Sequence, residues 1–363
     1  MRPIASCPGA ERGTVRERLL GVIFSIVVLA VAVAAVSAFT ESAAAATPQI
    51  FLPQDEGPHD TSHEWWYFTG HLKGIDSYGR PHFYGFELTV FRQNIAYPDQ
   101  AVYAGHLAVT DLSRGTFMFE EQIVLQPDTV LPGGGFNISV NDWNISGRNG
   151  ANRATEAFSQ PSYSLSLNLN SSLPAALHGD GGVIPYGPLG QSFYYSRTNL
   201  KVSGVVTDYG VPVQVIGSAW FDHQWGNFLP NVAGWDWFSV QLINGTQYMV
   251  YLIKDGAGQI VQKVGTLVKA DGSTQALDPN SLSEVVLDTW TSPASGVTYS
   301  SGWRLKVPGG QLTILPQLKD QELRVVVSPA GTYWEGATAV IGIINGTPVI
   351  GQGYTELTPP GQF

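Results

Sequence analysis

The sequence Ala219-Trp220-Phe221-Asp222-His223-Gln224-Trp225-Gly226-Asn227-Phe228, with Gly234-Trp235-Asp236-Trp237-Phe238 close behind it, concentrates four Trp, two Asp and one His within twenty residues. Asp and His side chains transfer protons, whereas Trp rings supply apolar walls and a face that attracts cations. Two interpretations fit this stretch. It is either the end of a strand with a satisfied Asp–His pair, or the polar centre of an aromatic-lined pocket.

Short strand-like segments surround this stretch on both sides. Charged residues make up only 13% of the chain and aromatic residues 11%, which is typical of a β-rich protein rather than a helical one. Asn-Gly pairs at 244–245 and 345–346 each lie between two alternating apolar runs, a strong signal for a β-hairpin. Because no long amphipathic helix is predicted beyond residue 50, the sequence predicts an all-β fold of barrels or sandwiches.

A weak internal repeat divides this β-rich region in two. The first segment of each pair below resembles the second, and the three pairs occur in the same order: 65–68 with 235–238, 194–196 with 333–335, and 215–222 with 349–356. We therefore expect two related β units, at about 50–225 and 230–358. In each unit a Trp-rich strand opens the sheet and a Gly-aromatic-acid strand closes it. Asp222 and Glu356 should then occupy equivalent positions.

The N-terminal residues 1–46 have the features of a targeting segment. Four Arg residues precede an apolar run at 19–39, and Ala44-Ala45-Ala46 offers a cleavage site. This run is either a cleaved signal or an uncleaved membrane anchor, and both predict an exported protein. The domain organisation expected from sequence is therefore the targeting segment 1–46, an N-terminal domain at 47–228 and a C-terminal domain at 229–363.

Composition and motifs exclude several classes of function. The net charge of −10 does not suggest binding to nucleic acid or to an anionic lipid surface. Cys7 is the only cysteine and lies in the targeting segment, so no disulfide, Cys nucleophile or thiolate metal site is expected beyond it. No G-x-S-x-G or H-E-x-x-H motif occurs, and the seven His show no ligand spacing. Gly133-Gly134-Gly135 lacks the features of a phosphate-binding loop. The sequence therefore predicts neither a metal nor a cofactor.

The class of function that these exclusions leave is acid–base catalysis beside aromatic rings. The candidate groups are His63-Glu64, Asp222-His223 and Asp236. A carboxyl group among Trp rings is poorly solvated, so its pKa should rise and it could protonate even an alkene. Trp and Tyr faces would stabilise the resulting cation, and water held by His could add to it. Plainer interpretations are a barrel-rim carboxylate for Glu64 and core packing for Trp65-Trp66.

These motifs together resemble the carotenoid 1,2-hydratase (hydroxyneurosporene synthase) family and its wider AttH-like group of exported, lipocalin-like proteins. The resemblance covers nearly all of residues 50–358. Five motifs carry it: Leu52-Pro53-x-Asp55 with Glu64-Trp65-Trp66-Tyr67 and Gly70, Tyr194-Tyr195-Ser196-Arg197-Thr198, Trp220-Phe221-Asp222-His223-Gln224-Trp225-Gly226, Gly234-Trp235-Asp236-Trp237, and Gly351-Gln352-Gly353-Tyr354-Thr355-Glu356-Leu357. The chain departs from the pattern in its long export segment and in Thr358-Pro359-Pro360, where relatives often continue with Gly-Tyr.

The resemblance implies two calycin-type (lipocalin-like) β-barrel domains packed together, with a hydrophobic cavity near their junction. It also implies water addition to a terminal double bond without a cofactor. The family's catalytic His and Trp resemble His223 and Trp225, and its downstream Asp best matches Asp236. Other relatives catalyse pericyclic cyclisation or carry the label of secreted hydrolases, so the resemblance implies the fold more strongly than the reaction.

The leading functional prediction is an exported, cofactor-independent enzyme that hydrates a C=C bond of an apolar, isoprenoid-like molecule. Its expected catalytic residues are Asp222, His223 and Asp236. The side chains expected to bind the hydrophobic substrate are Glu64, Trp65, Trp66, Tyr195, Trp225, Trp235 and Trp237. A lipocalin-like carrier of the same kind of ligand is the alternative. A hydrolase is the third possibility, although no nucleophile supports it.

Overall fold

The chain folds into two large antiparallel β-sheets and one small hairpin. A computed structural model describes residues 50–95, 100–228, 234–328 and 331–358. The predicted targeting segment 1–46, with its apolar run at 19–39, lies outside these residues, and export stays a prediction from the sequence. Within the described ranges, no helix is both long and apolar enough to cross a membrane.

The first sheet contains twelve strands that precede residue 229. They are β1 (His63–Asp76), β2 (Pro81–Asn94), β3 (Ala101–Asp111), β4 (Thr116–Gln126), β5 (Phe136–Val140), β6 (Trp143–Arg148), β7 (Ala151–Ala157), β8 (Tyr163–Ser171), β9 (Ala176–Leu177), β10 (Val183–Pro185), β11 (Gly190–Asp208) and β12 (Val211–Phe228). Their order is β4-β3-β2-β1-β12-β11-β8-β7-β6-β5, with β9 and β10 added beside β11.

The two edges of the first sheet meet, so that it forms a nearly closed barrel. Side chains of β4 bridge the gap to β5: Gln126 Nε2 donates to the Ser139 carbonyl at 2.8 Å, and Asn141 Nδ2 donates to Gln122 Oε1 at 3.0 Å. Closure of this kind protects the edge strands from pairing with another chain. It also encloses an apolar interior that contains Trp66, among others.

The second sheet contains ten strands, and two further strands form the separate hairpin. The strands are β13 (Trp235–Leu242), β14 (Gln247–Lys254), β15 (Ile260–Val268), β16 (Thr274–Ala276), β17 (Ser283–Val286), the hairpin β18 (Thr289–Thr291) and β19 (Thr298–Ser300), β20 (Trp303–Val307), β21 (Gly310–Pro316), β22 (Glu322–Leu323), β23 (Tyr333–Ile344) and β24 (Thr347–Thr358). The order is β16-β15-β14-β13-β24-β23-β21-β20-β17, with β22 beside β23. Short 3-10 turns lie at Gln54–Glu56, Gly187–Leu189 and Pro279–Ser281.

The predicted all-β, lipocalin-like fold is confirmed, with one difference in closure. The second sheet curls into a half-barrel instead of a closed barrel. Its strands begin at Trp235, after those of the first sheet end at Phe228. The domain boundaries drawn from the sequence at 46/47 and 228/229 stay predictions.

Strand register reproduces the internal repeat. In the first sheet β1 pairs with β12, which sets Tyr67 opposite Asp222. In the second sheet β13 pairs with β24, which sets Trp237 opposite Glu356. The expected equivalence of Asp222 and Glu356 is therefore confirmed. The same repeat sets Glu335 opposite Glu356, where the first sheet has Ser196 opposite Asp222.

The alternation of side chains along β1 and β12 separates two environments. Successive residues of a strand point to opposite faces. Trp66 and Phe221 pack inside the first barrel, whereas Tyr67 and Trp220 pack into a second core shared by both sheets. We call this shared layer the junction core. It also contains Trp237 from the second sheet.

Candidate active site

A cavity opens beside the junction core, between the two sheets, and we call it the junction pocket. It holds about 880 Å³ of empty space, including the part that is open to solvent. The lining residues are His63, Glu64, Trp65, Tyr67, Phe91, Arg92, Gln93, Tyr194, Asp222, Gln224, Trp235, Trp237, Tyr251, Tyr333, Glu335, Glu356 and Thr358.

Glu335 is one of four carboxylic acids in this lining. The Tyr67 hydroxyl of the first sheet donates a short hydrogen bond to Glu335 Oε1 of the second. The other carboxyl oxygen, Oε2, is buried and has no hydrogen-bond partner among the described residues. Burial, reinforced by the charges of Glu87 and Glu356, raises the pKa of Glu335 well above its ordinary value. Burial therefore favours the protonated form of Glu335, which is fixed through one oxygen only.

Asp222 accepts more hydrogen bonds than Glu335 does. Tyr194 donates to its Oδ2 at 2.6 Å, while the Trp220 indole at 2.6 Å and the Ser196 hydroxyl both donate to Oδ1. Burial raises the pKa of Asp222 to about 7, and the three donors oppose that rise. Ser196 is itself bonded to His178 Nε2 at 2.5 Å. Asp222 is thus a buried group that three hydrogen-bond donors hold in place, whereas Glu335 has one.

Two further carboxyl groups surround Glu335. Burial raises the pKa of Glu356 to about 7, against a hydrogen bond from the Trp235 side chain. Burial also raises the pKa of Glu87 to about 8, against the donors Thr89, at 2.5 Å, and Tyr333, at 3.3 Å. No cation is among the partners of these groups in the described part of the chain, so protonation is what makes their burial tolerable.

Because burial raises the pKa values of these carboxyl groups, we expect the free energy of unfolding to fall as the pH rises toward 8. Glu87 has a pKa of about 8 in the folded chain and 4.5 as its ordinary value. Between these values the folded chain keeps a proton that the unfolded chain releases, so the free energy of unfolding falls by about 1.4 kcal/mol per pH unit for this group. Urea unfolding of wild type and Glu87→Gln between pH 6.5 and 8 measures this difference, because the buried histidines titrate below that range. Parallel pH profiles of the two proteins would contradict the prediction.

A second polar cluster, which we call the imidazole–carboxylate cluster, lies at the end of the first barrel. It consists of His59, Glu64 and His223. His59 Nδ1 lies 2.7 Å and His223 Nε2 lies 2.8 Å from the same oxygen, Glu64 Oε1. The His59 backbone N–H donates to Glu64 Oε2 at 2.8 Å. Burial lowers the pKa of each imidazole to about 4 and raises the pKa of Glu64, so both rings are neutral near pH 7.

Aromatic rings pack against this cluster on several sides. Trp225 stacks on His59 with ring centroids 4.1 Å apart, and Trp66 stacks on His223 at 4.7 Å. Tyr195 meets His223 edge-on at 5.5 Å, and its hydroxyl is buried without a hydrogen bond in the described structure. These contacts fix both imidazoles while leaving a polar atom next to them unsatisfied.

The structure brings together only some of the site residues expected from sequence. Glu64, Trp65, Asp222, Trp235 and Trp237 line the junction pocket. The expected approach of Glu64 to the Asp222-His223 pair is confirmed by the 2.8 Å contact between Glu64 and His223.

The remaining expected residues lie elsewhere. His223 points away from Asp222 because neighbours in a strand alternate, and it lies with Trp66, Tyr195 and Trp225 on the inner side of the first barrel. The Asp236 side chain likewise points to the opposite face of its strand from Trp235 and Trp237. It bonds Lys254 Nζ at 2.5 Å, away from the pocket. Thus Asp222, His223 and Asp236 do not share one cavity.

Sequence reasoning missed Tyr67 and Glu335 as partners, and it missed His59 altogether. Tyr67 and Glu335 lie 268 residues apart, so no local pattern joins them. The internal repeat held a usable signal, because it aligned 333–335 with 194–196 and so placed Glu335 beside the equivalent of Asp222. The sequence shows no ligand spacing among the histidines for a similar reason, because His59 and His223 come together through the pairing of β1 with β12.

Comparisons with known proteins agree with this architecture. The AttH-like family model matches residues 43–360. The crystal structure of an AttH protein from Nitrosomonas europaea is 30% identical, with a TM-score of 0.74, over 86% of this chain and 98% of that one. Kievitone hydratase from Nectria haematococca has a TM-score of 0.66 over 86% of this chain and 94% of that one, and its 20% identity shows the fold alone.

A curated relative matches over a shorter span. Kievitone hydratase of Fusarium solani subsp. phaseoli is 26% identical over 183 residues, which are 48% of this chain and 51% of that protein. The match thus spans about half the length of this relative. The family model covers AttH-like proteins in general and does not single out carotenoid hydratases.

Proposed function

The chain belongs to the AttH-like family, and from that premise we propose that it adds water across a C=C bond of an apolar, isoprenoid-like small molecule in the junction pocket. The observation that carries the proposal is Glu335. This carboxyl group is buried among aromatic rings, is held by Tyr67 through Oε1, and has an Oε2 without a partner. A protonated acid in that setting has its proton available for a bound ligand.

The reaction balances without an outside reagent other than water. The Glu335 Oε2 proton forms a C–H bond with one alkene carbon, and the π electrons supply that bond. The other carbon becomes a tertiary cation, over which the faces of Trp65, Trp235 and Trp237 give cation–π stabilisation. A water oxygen then forms the C–O bond and returns a proton to Glu335. Asp222, fixed by three donors, lines the same space.

Two further facts favour hydration over the alternatives. Relatives that match this chain include proteins named kievitone hydratase. Among the described residues that line the pocket there is no Ser or Cys side chain to act as the nucleophile of a hydrolase.

Incubation with a panel of apolar alkenes in ¹⁸O-labelled water tests the proposal. Acyclic isoprenoid alcohols and prenylated phenols are suitable probes, and mass spectrometry detects the added label. Quenching of Trp fluorescence measures binding in parallel, since Trp65, Trp235 and Trp237 line the pocket. Label in a bound probe supports a hydratase. Binding without label across the whole panel would instead identify a carrier and contradict the proposal.

A further inference from the structure

The imidazole–carboxylate cluster brings three metal-ligating side chains together from distant parts of the chain. His59 comes from the segment before β1, Glu64 from β1 and His223 from β12. Their ligand atoms all lie within 4.8 Å of one another. Two imidazole nitrogens and a carboxylate oxygen are a donor set that suits Zn²⁺ and neighbouring divalent transition metals.

We propose that His59, Glu64 and His223 form a binding site for one divalent transition-metal ion, with Zn²⁺ as the preferred ion. This proposal does not rest on the proposed hydration reaction. The two proposals are independent, because Glu335 lines the junction pocket and is not a member of this cluster.

The distances within the cluster need only a small adjustment to hold an ion. The two nitrogen–oxygen separations are 2.7 Å and 2.8 Å. Zinc bonds of about 2.0–2.2 Å in a tetrahedron place the ligand atoms about 3.3 Å apart. Shifts of about half an ångström, within reach of side-chain torsions, would therefore replace two hydrogen bonds with metal bonds.

The groups around the cluster are those that orient metal ligands. The Asp55 carboxylate lies 3.9 Å from His59 Nε2, on the side of the ring that faces away from Glu64. The Asp55 backbone lies near His223 Nδ1 without a well-aligned hydrogen bond. Carboxylates and backbone carbonyls in such places fix the tautomer of a ligating imidazole. The His59 backbone N–H holds the second oxygen of Glu64 in the same way.

The charges around the cluster and its access from solvent also suit a metal ion. The Arg92 guanidinium, whose charge acts on both His59 and Glu64, is already paired with Asp128 through bonds of 2.7 Å and 2.6 Å. Glu64 and Asp55 thus provide two negative charges for one dication. The His59 side chain is 21% exposed, whereas that of Glu64 is fully buried, so an ion can enter past His59.

Three protein ligands leave one position of a tetrahedral ion free. In zinc sites with this ligand number the fourth position holds water or substrate. The Tyr195 ring packs against the edge of His223, and its buried hydroxyl has no hydrogen-bond partner among the described residues, so a water in the fourth position is the partner that the proposal gives it.

Metal titration of the full chain tests the site. After treatment with a chelator, isothermal titration with ZnCl₂ should show one ion per chain with a Kd below about 1 µM. Replacement with Co²⁺ should give the visible absorption of a tetrahedral site. His59→Gln and Glu64→Gln should each weaken binding by at least about 100-fold, beyond the loss usual for groups that only orient ligands. His63→Gln, a change of a neighbouring histidine outside the cluster, is the matched control and should bind like wild type.

Several results would overturn the proposal. Folded wild-type protein that takes up no Zn²⁺ or Co²⁺ at about 100 µM, a hundred times the expected Kd, would show a hydrogen-bonded triad and no metal site. Binding that survives both His59→Gln and Glu64→Gln would place the ion elsewhere. Circular dichroism of each variant checks its folding. Because the wild-type titration decides the question alone, a variant that fails to fold does not rescue the proposal.

Discussion

Replacing Glu335 with Gln is expected to slow water addition by about 10²–10⁴-fold, the usual contribution of a general acid. Gln has the shape of the protonated carboxyl group and can still accept the hydrogen bond from Tyr67. The fold and the apolar walls should therefore persist, and ligand affinity should change by no more than a few-fold. The loss belongs to the chemical step, because an amide cannot supply the proton.

Incorporation of labelled water measures the rate, and Trp fluorescence quenching measures affinity. Glu284→Gln is the matched control, since burial and the charge of Asp236 raise the pKa of Glu284 to about 9 but it lies outside the junction pocket. Its rate should match that of wild type. If Glu335→Gln keeps the full rate on a probe that wild type hydrates, Glu335 is not the proton donor.

Replacing Arg197 with Met is expected to lower the free energy of unfolding by about 3–5 kcal/mol, the usual cost of removing one partner of a buried ion pair. Arg197 Nη2 bonds Glu56 Oε1 at 2.7 Å, and both residues are buried. The other oxygen of Glu56 accepts from the Asn149 backbone at 2.8 Å. Without Arg197 the Glu56 carboxylate would be left buried and uncompensated.

Urea unfolding measures this loss, and two other variants show whether the buried charge causes it. The double variant Arg197→Met with Glu56→Leu should recover most of the stability, because no charge then stays buried. Lys319→Met removes a pair of similar length, 2.6 Å, with Asp288, and in this pair the two side chains are 54% and 56% exposed. It should cost no more than about 1 kcal/mol. Equal losses for the Arg197 and Lys319 variants would show that burial does not set the cost.

The fold was predictable from sequence because its signals are local or repeated. Asn-Gly at 244–245 predicts a turn, and the strands β13 and β14 pair on either side of it. The repeat predicted which strands open and close each sheet, and the register confirms this through Asp222 and Glu356. Closure of the second sheet was not predictable, because it depends on how far the outer strands curl.

The site was less predictable, because it depends on which face of a strand is covered. A period of two residues says that Asp222 and His223 point in opposite directions, yet it does not say which direction leads to the pocket. That depends on the second sheet, which contributes Glu335 to the junction core. The sequence placed all these groups in one aromatic region and could not assign them to its two sides.

The repeat has a consequence for how a ligand lies in the junction pocket. The position equivalent to Tyr67 is Trp237, and the position equivalent to Glu335 is Ser196. Two identical halves would carry the acid twice or not at all, and a ligand could enter in either of two reversed orientations. Divergence of the halves has broken that symmetry. Only the second sheet carries a carboxyl group at this repeat position, so the two sides of the pocket differ and it can tell one end of an elongated molecule from the other.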